Sequence, residues 1–103
     1  MSLRVYQKEV DKWVKKHIKT GYFPPLAIIA RLAEETGELA REINHRFGPK
    51  KKKSTETNKK IGDEIADTLF TLICLANSLN IDMDESFNKM MKKLRTRDKN
   101  RYK

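Results

Sequence analysis

The sequence predicts an all-α protein, an antiparallel bundle of four to five helices in a single domain over residues 1–103, and three observations lead there. Apolar residues recur every three or four positions through long windows, the spacing of one helix face rather than of a strand. Only four glycines and three prolines are present, too few punctuators for a turn-rich β architecture. Charged residues make up 36% of the chain against 38% hydrophobic ones, so narrow apolar stripes are flanked by wide solvated faces.

The first helix is expected over Leu3 to Lys19, with Val5, Val10 or Trp13, Val14 and Ile18 on its apolar side. Gly21 suits a position just past its end, where a left-handed backbone is common. Tyr22-Phe23-Pro24-Pro25 then makes a stiff aromatic connection, and Pro25 fits the first position of the next helix because that residue needs no N–H donor. The second helix runs from Pro25 to Phe47. At 100° per residue, Ile28, Leu32, Thr36, Leu39 and Ile43 fall within about 40° of one line, the expected core stripe. Glu35 lies about 60° and Glu38 about 120° to one side of it, while Glu34 points nearly opposite. Gly37 in mid-helix costs roughly 0.5–1 kcal/mol against Ala, which suggests close approach by a backbone or ligand.

Gly48 and Pro49 stop the second helix, and residues 48–57 form a polar loop with four consecutive lysines, Lys50 to Lys53. A third helix follows over Asn58 to Leu79, with Ile61, Ile65, Leu69, Leu72, Ala76 and Leu79 as its stripe. Glu64 and Asp67 sit on one edge, about 100° and 160° from that line. Asp84 is the expected N-cap of a fourth helix over Glu85 to Leu94, which carries Phe87, Met90, Met91 and Leu94. Residues 95–103 make a basic tail.

Charge is distributed unevenly along these elements. Residues 33–43 and 61–67 hold seven acids and one base, net −6, inside a chain whose overall charge is +9. Glu35 with Glu38, and Glu64 with Asp67, each stand three residues apart, which puts both members of a pair on one helix face. Packing the second and third helices through their stripes brings the two acidic edges together. Carboxylates about 4 Å apart repel by roughly 4 kcal/mol at an effective dielectric near 20, and a divalent cation reverses that cost. Four carboxylates without His, Cys or Asn in register favour a hard, oxygen-loving ion, Mg²⁺ or alternatively Mn²⁺. Iron is disfavoured, because neither window has the Glu-x-x-His offset of bundle-type di-iron sites. Against this stands the plainer reading of two solvated acidic faces, neutralised by the i, i+4 pairs Arg31–Glu35 and Lys60–Glu64 at about 0.3–0.5 kcal/mol each.

Further readings bound the class. No apolar run approaches the roughly 18 residues of a membrane span, and the N-terminus lacks the pattern of a signal peptide. The single cysteine, Cys74, reads as a reduced core residue, and a cytoplasmic location is expected. A pI near 9.8 favours polyanionic partners. A basic helical module that binds nucleic acid is the competing class, disfavoured because no recognition motif appears; a non-catalytic interaction protein is another. Thin helical layers tend to complete their core by self-association, so a homo-oligomer, dimer or tetramer, is expected.

Glu34-Glu35-x-x-Glu38 followed by Glu64-x-x-Asp67, each on a helix, resembles the EExxE…ExxD signature of the MazG-like all-α nucleoside triphosphate pyrophosphohydrolases. The similarity covers roughly residues 22–101 and includes Leu75-Ala76-Asn77-x-Leu79-x-Ile81-Asp82 and Lys93-x-x-x-Arg97-Asp98-x-x-Arg101, which are similar to small stand-alone members. The resemblance implies Glu35, Glu38, Glu64 and Asp67 as magnesium ligands, with Glu34 orienting a metal-bound water or ligand; on chemical grounds a free carboxylate, Glu38 or Glu34, is the candidate to take up the proton. The resemblance also implies cleavage of a nucleoside triphosphate substrate between the α and β phosphates, giving a monophosphate and pyrophosphate. A role in removing non-standard nucleotides fits, and a relative of phosphoribosyl-ATP pyrophosphatase or dUTPase remains an alternative. For the triphosphate, Lys89, Lys93, Arg97 and Arg101 form a basic stripe at four-residue spacing. Trp13, His17 and Phe23 are candidates for the base pocket, and Asn77 for phosphate or a helix partner.

Overall fold

In the computed structural model, residues 2–49 and 54–97 are described, and they form four helices with no strand among them. These are α1 (Leu3–His17), α2 (Pro25–Phe47), α3 (Ser54–Ser78) and α4 (Met83–Thr96). The main packing is α2 against α3, with α1 laid on α3 and α4 on α1. Phe47 and Ser54 are joined by a short connection, which makes α2 and α3 antiparallel neighbours.

Local chemistry explains most of the helix ends. The Ser2 hydroxyl accepts from the Val5 N–H at 3.3 Å and caps α1. That helix stops at His17, two residues earlier than expected, because Ile18 turns extended at φ −122°. Gly21 therefore is not its terminal residue. It takes φ +77° in the turn that follows, with its N–H donating to the Ile18 carbonyl at 3.0 Å. Both ends of α2 fall where expected, with Pro25 opening the helix and Gly48 closing it.

Two other ends correct the expectation. Ser54 to Thr57 belong to α3 rather than to the lysine-rich loop, while Lys50 to Lys53 lie outside the described residues. At the far end, Asn80 adopts φ +55°. The Ile81 N–H reaches the Ala76 carbonyl at 2.8 Å and the Asn80 N–H the Asn77 carbonyl at 3.2 Å, the paired bonds of a Schellman termination. The cap of α4 is Asp82, not Asp84, and the helix spans Met83–Thr96. Oδ1 of Asp82 accepts from the N–H groups of Asp84 and Glu85 at 3.0 and 3.3 Å. Asp84 instead accepts from the Leu3 N–H at 3.0 Å, and Arg4 donates to Asp82 at 2.8 Å. Either aspartate suits a cap by composition, and the choice follows from where the first turn of α1 needs an acceptor.

The buried faces of α2 and α3 are rotated from the expected stripes. On α2 the buried residues are Ile28, Glu35 and Glu42, with Leu32 and Leu39 half-buried between them. The spacing of seven is that of a two-helix seam. Thr36 and Ile43, placed in the stripe by the wheel, are exposed. Along α3, Thr71, Ile73 and Ala76 are buried, Ala76 being the one of these in the expected stripe, and Ile61, Glu64 and Thr68 are half-buried, whereas Ile65, Leu69 and Leu72, with Leu79 just past the helix end, stay exposed. Glu35 is thus central to the seam rather than bordering it. A wheel drawn from hydrophobicity finds the most apolar face, and here that face is not the one turned to the neighbouring helix. Space around Gly37 also differs from expectation, since a Cβ there would meet nothing within 4 Å.

Candidate metal centre

Three carboxylates converge across the α2–α3 seam. One oxygen each from Glu35, Glu64 and Asp67 lies within 4.8 Å of the other two. Antiparallel packing produces this directly: Glu35 on α2 faces the middle of α3, where the i, i+3 spacing sets Glu64 and Asp67 on one side. Oxygens bound to a common magnesium ion stand at most about 4.2 Å apart, so side-chain adjustments below about 1 Å close the set.

Electrostatics make the cluster unsatisfied as it stands. Glu35 is 5% exposed; its Oε1 accepts from Arg31 Nε at 2.9 Å, while its Oε2 is buried with no hydrogen bond. Oε2 of Glu64 is likewise buried and unbonded. Burial pushes the Glu64 carboxyl up to about 7, helped by the charges of Glu38, Glu35 and Asp67. Buried carboxylate oxygens without donors are costly, and a cation or a shared proton relieves them. The donor set is oxygen only and crowded with negative charge, which fits a hard divalent ion.

The other predicted acids stand near this cluster without joining it. Glu38 is exposed and outside the group of three, yet its charge is felt at Glu64. Glu34 is exposed and lines the adjoining cavity. Of the two neutralising pairs that spacing allows, Arg31–Glu35 forms at 2.9 Å. Lys60–Glu64 is not found among the described residues.

A cavity of about 520 Å³ opens beside the carboxylates, within the size range of small-molecule sites. Its acidic end carries Glu34, Glu35 and Asp67 together with Arg31; its apolar wall includes Trp13, Tyr22, Phe23, Phe70 and Cys74. Trp13 meets the Phe70 ring edge-on, with centroids 6.0 Å apart at 85°. Phe70, Thr71 and Cys74 follow Asp67 at i+3, i+4 and i+7, so the helix turns them to the same side as the carboxylate. Thr71 spends its hydroxyl on the Asp67 carbonyl at 3.0 Å, as Thr68 does on that of Glu64 at 2.8 Å. Tyr22 donates to Asp11 at 2.8 Å and accepts from Asn77 at 2.9 Å. Burial, reinforced by the Asp11 carboxylate, pushes the Tyr22 hydroxyl up to about 12.

The remaining expected substrate residues are placed unequally. Trp13 and Phe23 do line the cavity. His17 stacks on Trp13 at 4.9 Å, on a surface that the cavity does not include. Asn77 is tied to Gln7 and Tyr22 by side-chain bonds of 2.9 Å and takes no part in the cavity wall. Lys89 and Lys93 on α4, which packs on α1, and Arg97 just past its end are exposed, and none lines the cavity. Arg101 lies outside the described residues. Sequence reasoning passed over Phe70, Tyr22 and Cys74 as pocket residues, although the distance of Phe70 and Cys74 from Asp67 was the available signal.

Comparison with known proteins gives the family of the chain. The model of the MazG nucleotide pyrophosphohydrolase domain matches residues 23–102. Protein YpjD of Bacillus subtilis (strain 168) is 52% identical over 101 residues, covering 98% of this chain and 90% of the relative. A crystal structure of Bacillus subtilis YpjD superposes with a TM-score of 0.83 at 50% identity, covering 93% of this chain and 97% of the other. The crystal structure of a Bacillus-conserved MazG protein, a nucleotide pyrophosphohydrolase, gives 0.80 at 46% identity, with 97% and 96% covered. The chain belongs to the MazG nucleotide pyrophosphohydrolase family, whose members are hydrolases acting on nucleotide pyrophosphate bonds.

Proposed function

We propose that this chain hydrolyses a (d)NTP at the α–β phosphate bond in a reaction that depends on a divalent cation, Mg²⁺ or else Mn²⁺. The observation that carries this reading is the pair of buried, unbonded oxygens on Glu35 and Glu64 beside a cavity with an aromatic wall. When bound, the ion supplies positive charge against the triphosphate and polarises the α-phosphoryl group. Glu35, Glu64 and Asp67 would hold it, with Glu38 bordering the set. Trp13, Phe23 and Phe70 offer faces on which a base can lie. Oxygen from water forms a bond to the α-phosphorus while the bond from that phosphorus to the bridging oxygen breaks. Pyrophosphate leaves, and the proton of water passes to Glu38 or Glu34, the exposed carboxylates at the site's edge.

The exposed apolar residues support self-association as part of the working enzyme. Ile65, Leu69 and Leu72 on α3 and Leu79 just past it, with Leu26, Ile43 and Phe47 on α2, form faces left exposed among the described residues. A second copy provides the cover, and it is also the way the α4 lysines can reach a site that they do not reach in one chain. Removal of non-standard nucleotides in a reducing cytoplasm, where the free Cys74 thiol persists, is the role that fits best.

The test is a panel of standard and modified (d)NTPs with Mg²⁺, read for both monophosphate and pyrophosphate. Release of the two products in equal amounts, abolished by EDTA, is expected. No release from any nucleotide in the panel overturns the reading.

A further inference from the structure

Arg31 joins the acidic cluster to the cavity, and its two surroundings are unlike. The Glu35 carboxylate that it holds is 6% exposed, whereas the Arg31 side chain is 67% exposed. Only Nε is engaged, at 2.9 Å from Glu35 Oε1; among the described residues its two terminal nitrogens bond nothing. A long, solvated side chain thus grips a fixed, buried one, and of the two it is the arginine that is free to move. The oxygen it grips belongs to a carboxylate of the converging group. Arg31 therefore occupies part of the coordination capacity that a divalent ion would use. It also lines the cavity beside Glu34 and Asp67, where a triphosphate entering between the aromatic wall and the carboxylates would pass.

Charge decides which partner the guanidinium keeps. With the ion absent, Glu35 is its nearest anion and a single N–H bond holds the pair. A bound ion neutralises that carboxylate, and a nucleotide brings phosphate oxygens that match the planar fork of the guanidinium in two parallel bonds. We propose that Arg31 is an exchanging cation: it guards Glu35 before the divalent ion binds and then transfers to the phosphates of the nucleotide. This rests on the proposed function, but it makes a separable claim, because the arginine then opposes ion binding and assists nucleotide binding.

The opposite signs give the test. Wild type, Arg31→Ala and Arg31→Lys are titrated with Mn²⁺ alone by calorimetry, then with Mn²⁺ plus a nucleotide whose α–β bridge is a non-hydrolysable methylene. Arg31→Ala is expected to bind Mn²⁺ about three- to tenfold more tightly and the analogue about tenfold more weakly. Arg31→Lys, which keeps the charge but not the fork, should stay near wild type for Mn²⁺ and fall between the two for the analogue. Weaker or unchanged Mn²⁺ binding by Arg31→Ala overturns the proposal, since an arginine that merely orients Glu35 gives that result. Unchanged analogue binding overturns it too. Absence of pyrophosphate release by wild type would count against the proposed function, while the Mn²⁺ titration would still read Arg31.

Discussion

Glu35 and Glu64 face each other across the α2–α3 seam, and each buries one carboxylate oxygen that no hydrogen bond reaches. Electrostatic strain is therefore built into the centre of the packing, and the divalent ion is expected to act as a structural bond between the two helices as well as a reactant's partner.

The pH dependence of stability follows from Glu64. Its carboxyl is raised from 4.5 to about 7 in the folded chain, first by burial and then by Glu38 and Glu35. Between those values the ion-free folded state holds a proton that the unfolded chain has released. The contribution is present below the unfolded value and lost as pH rises through about 7. Melting in EDTA is expected at a lower temperature at pH 8 than at pH 5. Because the ion needs the deprotonated form, Mg²⁺ should raise the melting temperature more at pH 8 than at pH 5. Glu35→Gln should abolish the Mg²⁺ effect and raise the EDTA melting temperature at pH 8. It should also cut pyrophosphate release by about 100-fold or more. Equal Mg²⁺ shifts at both pH values would refute the coupling.

Trp13 stands perpendicular to the Phe70 ring and is 48% exposed at the cavity wall. Stacking of a base on an aromatic side chain contributes about 1–3 kcal/mol, so Trp13→Ala is expected to raise KM by about tenfold or more. A change in kcat below about threefold should accompany it, and Trp13→Phe should recover much of the KM. Steady-state kinetics on one good substrate checks this, and a loss confined to kcat would remove Trp13 from the base site.

Leu72 is 37% exposed on the uncovered face of α3. Leu72→Asp should leave the helical spectrum unchanged, because the side chain does not fill the seam. If a second copy covers that face, sedimentation will show a shift from oligomer to monomer at micromolar concentration. A variant that sediments like wild type places the interface elsewhere.

The fold class, the bounds of α2 and the meeting of Glu35 with Glu64 and Asp67 were legible in the sequence, because i, i+3 spacing and a short connection leave the two acidic edges few places to go. The core stripe was not. Ile65, Leu69 and Leu72 outweigh Thr68 and Thr71 on any hydrophobicity scale, yet they stay exposed while Thr71 is buried and Thr68 half-buried, the hydroxyls bonding back to their own helix. A sequence with two apolar faces does not say which one its own chain covers. The cap of α4 depended on a third element, the first turn of α1, and so lay beyond local reasoning. The same holds for the lysines of α4, whose spacing makes a stripe without saying that the stripe has no place in the cavity wall.

The hydroxyls around the cavity have a consequence for selectivity. Thr71 is turned to the Asp67 carbonyl, and Tyr22 is held between Asp11 and Asn77. Each has spent its donor, so these hydroxyls offer the edge of a base acceptors only, and the wall senses flatness and thickness more than identity. Purines and pyrimidines with altered edges should therefore be processed about as well as their parents, with kcat/KM spread over roughly tenfold or less, since discrimination by several orders of magnitude requires buried polar groups that the wrong ligand leaves unpaired. A nucleotide preferred by a thousandfold would mean that polar groups other than these two hydroxyls read the base.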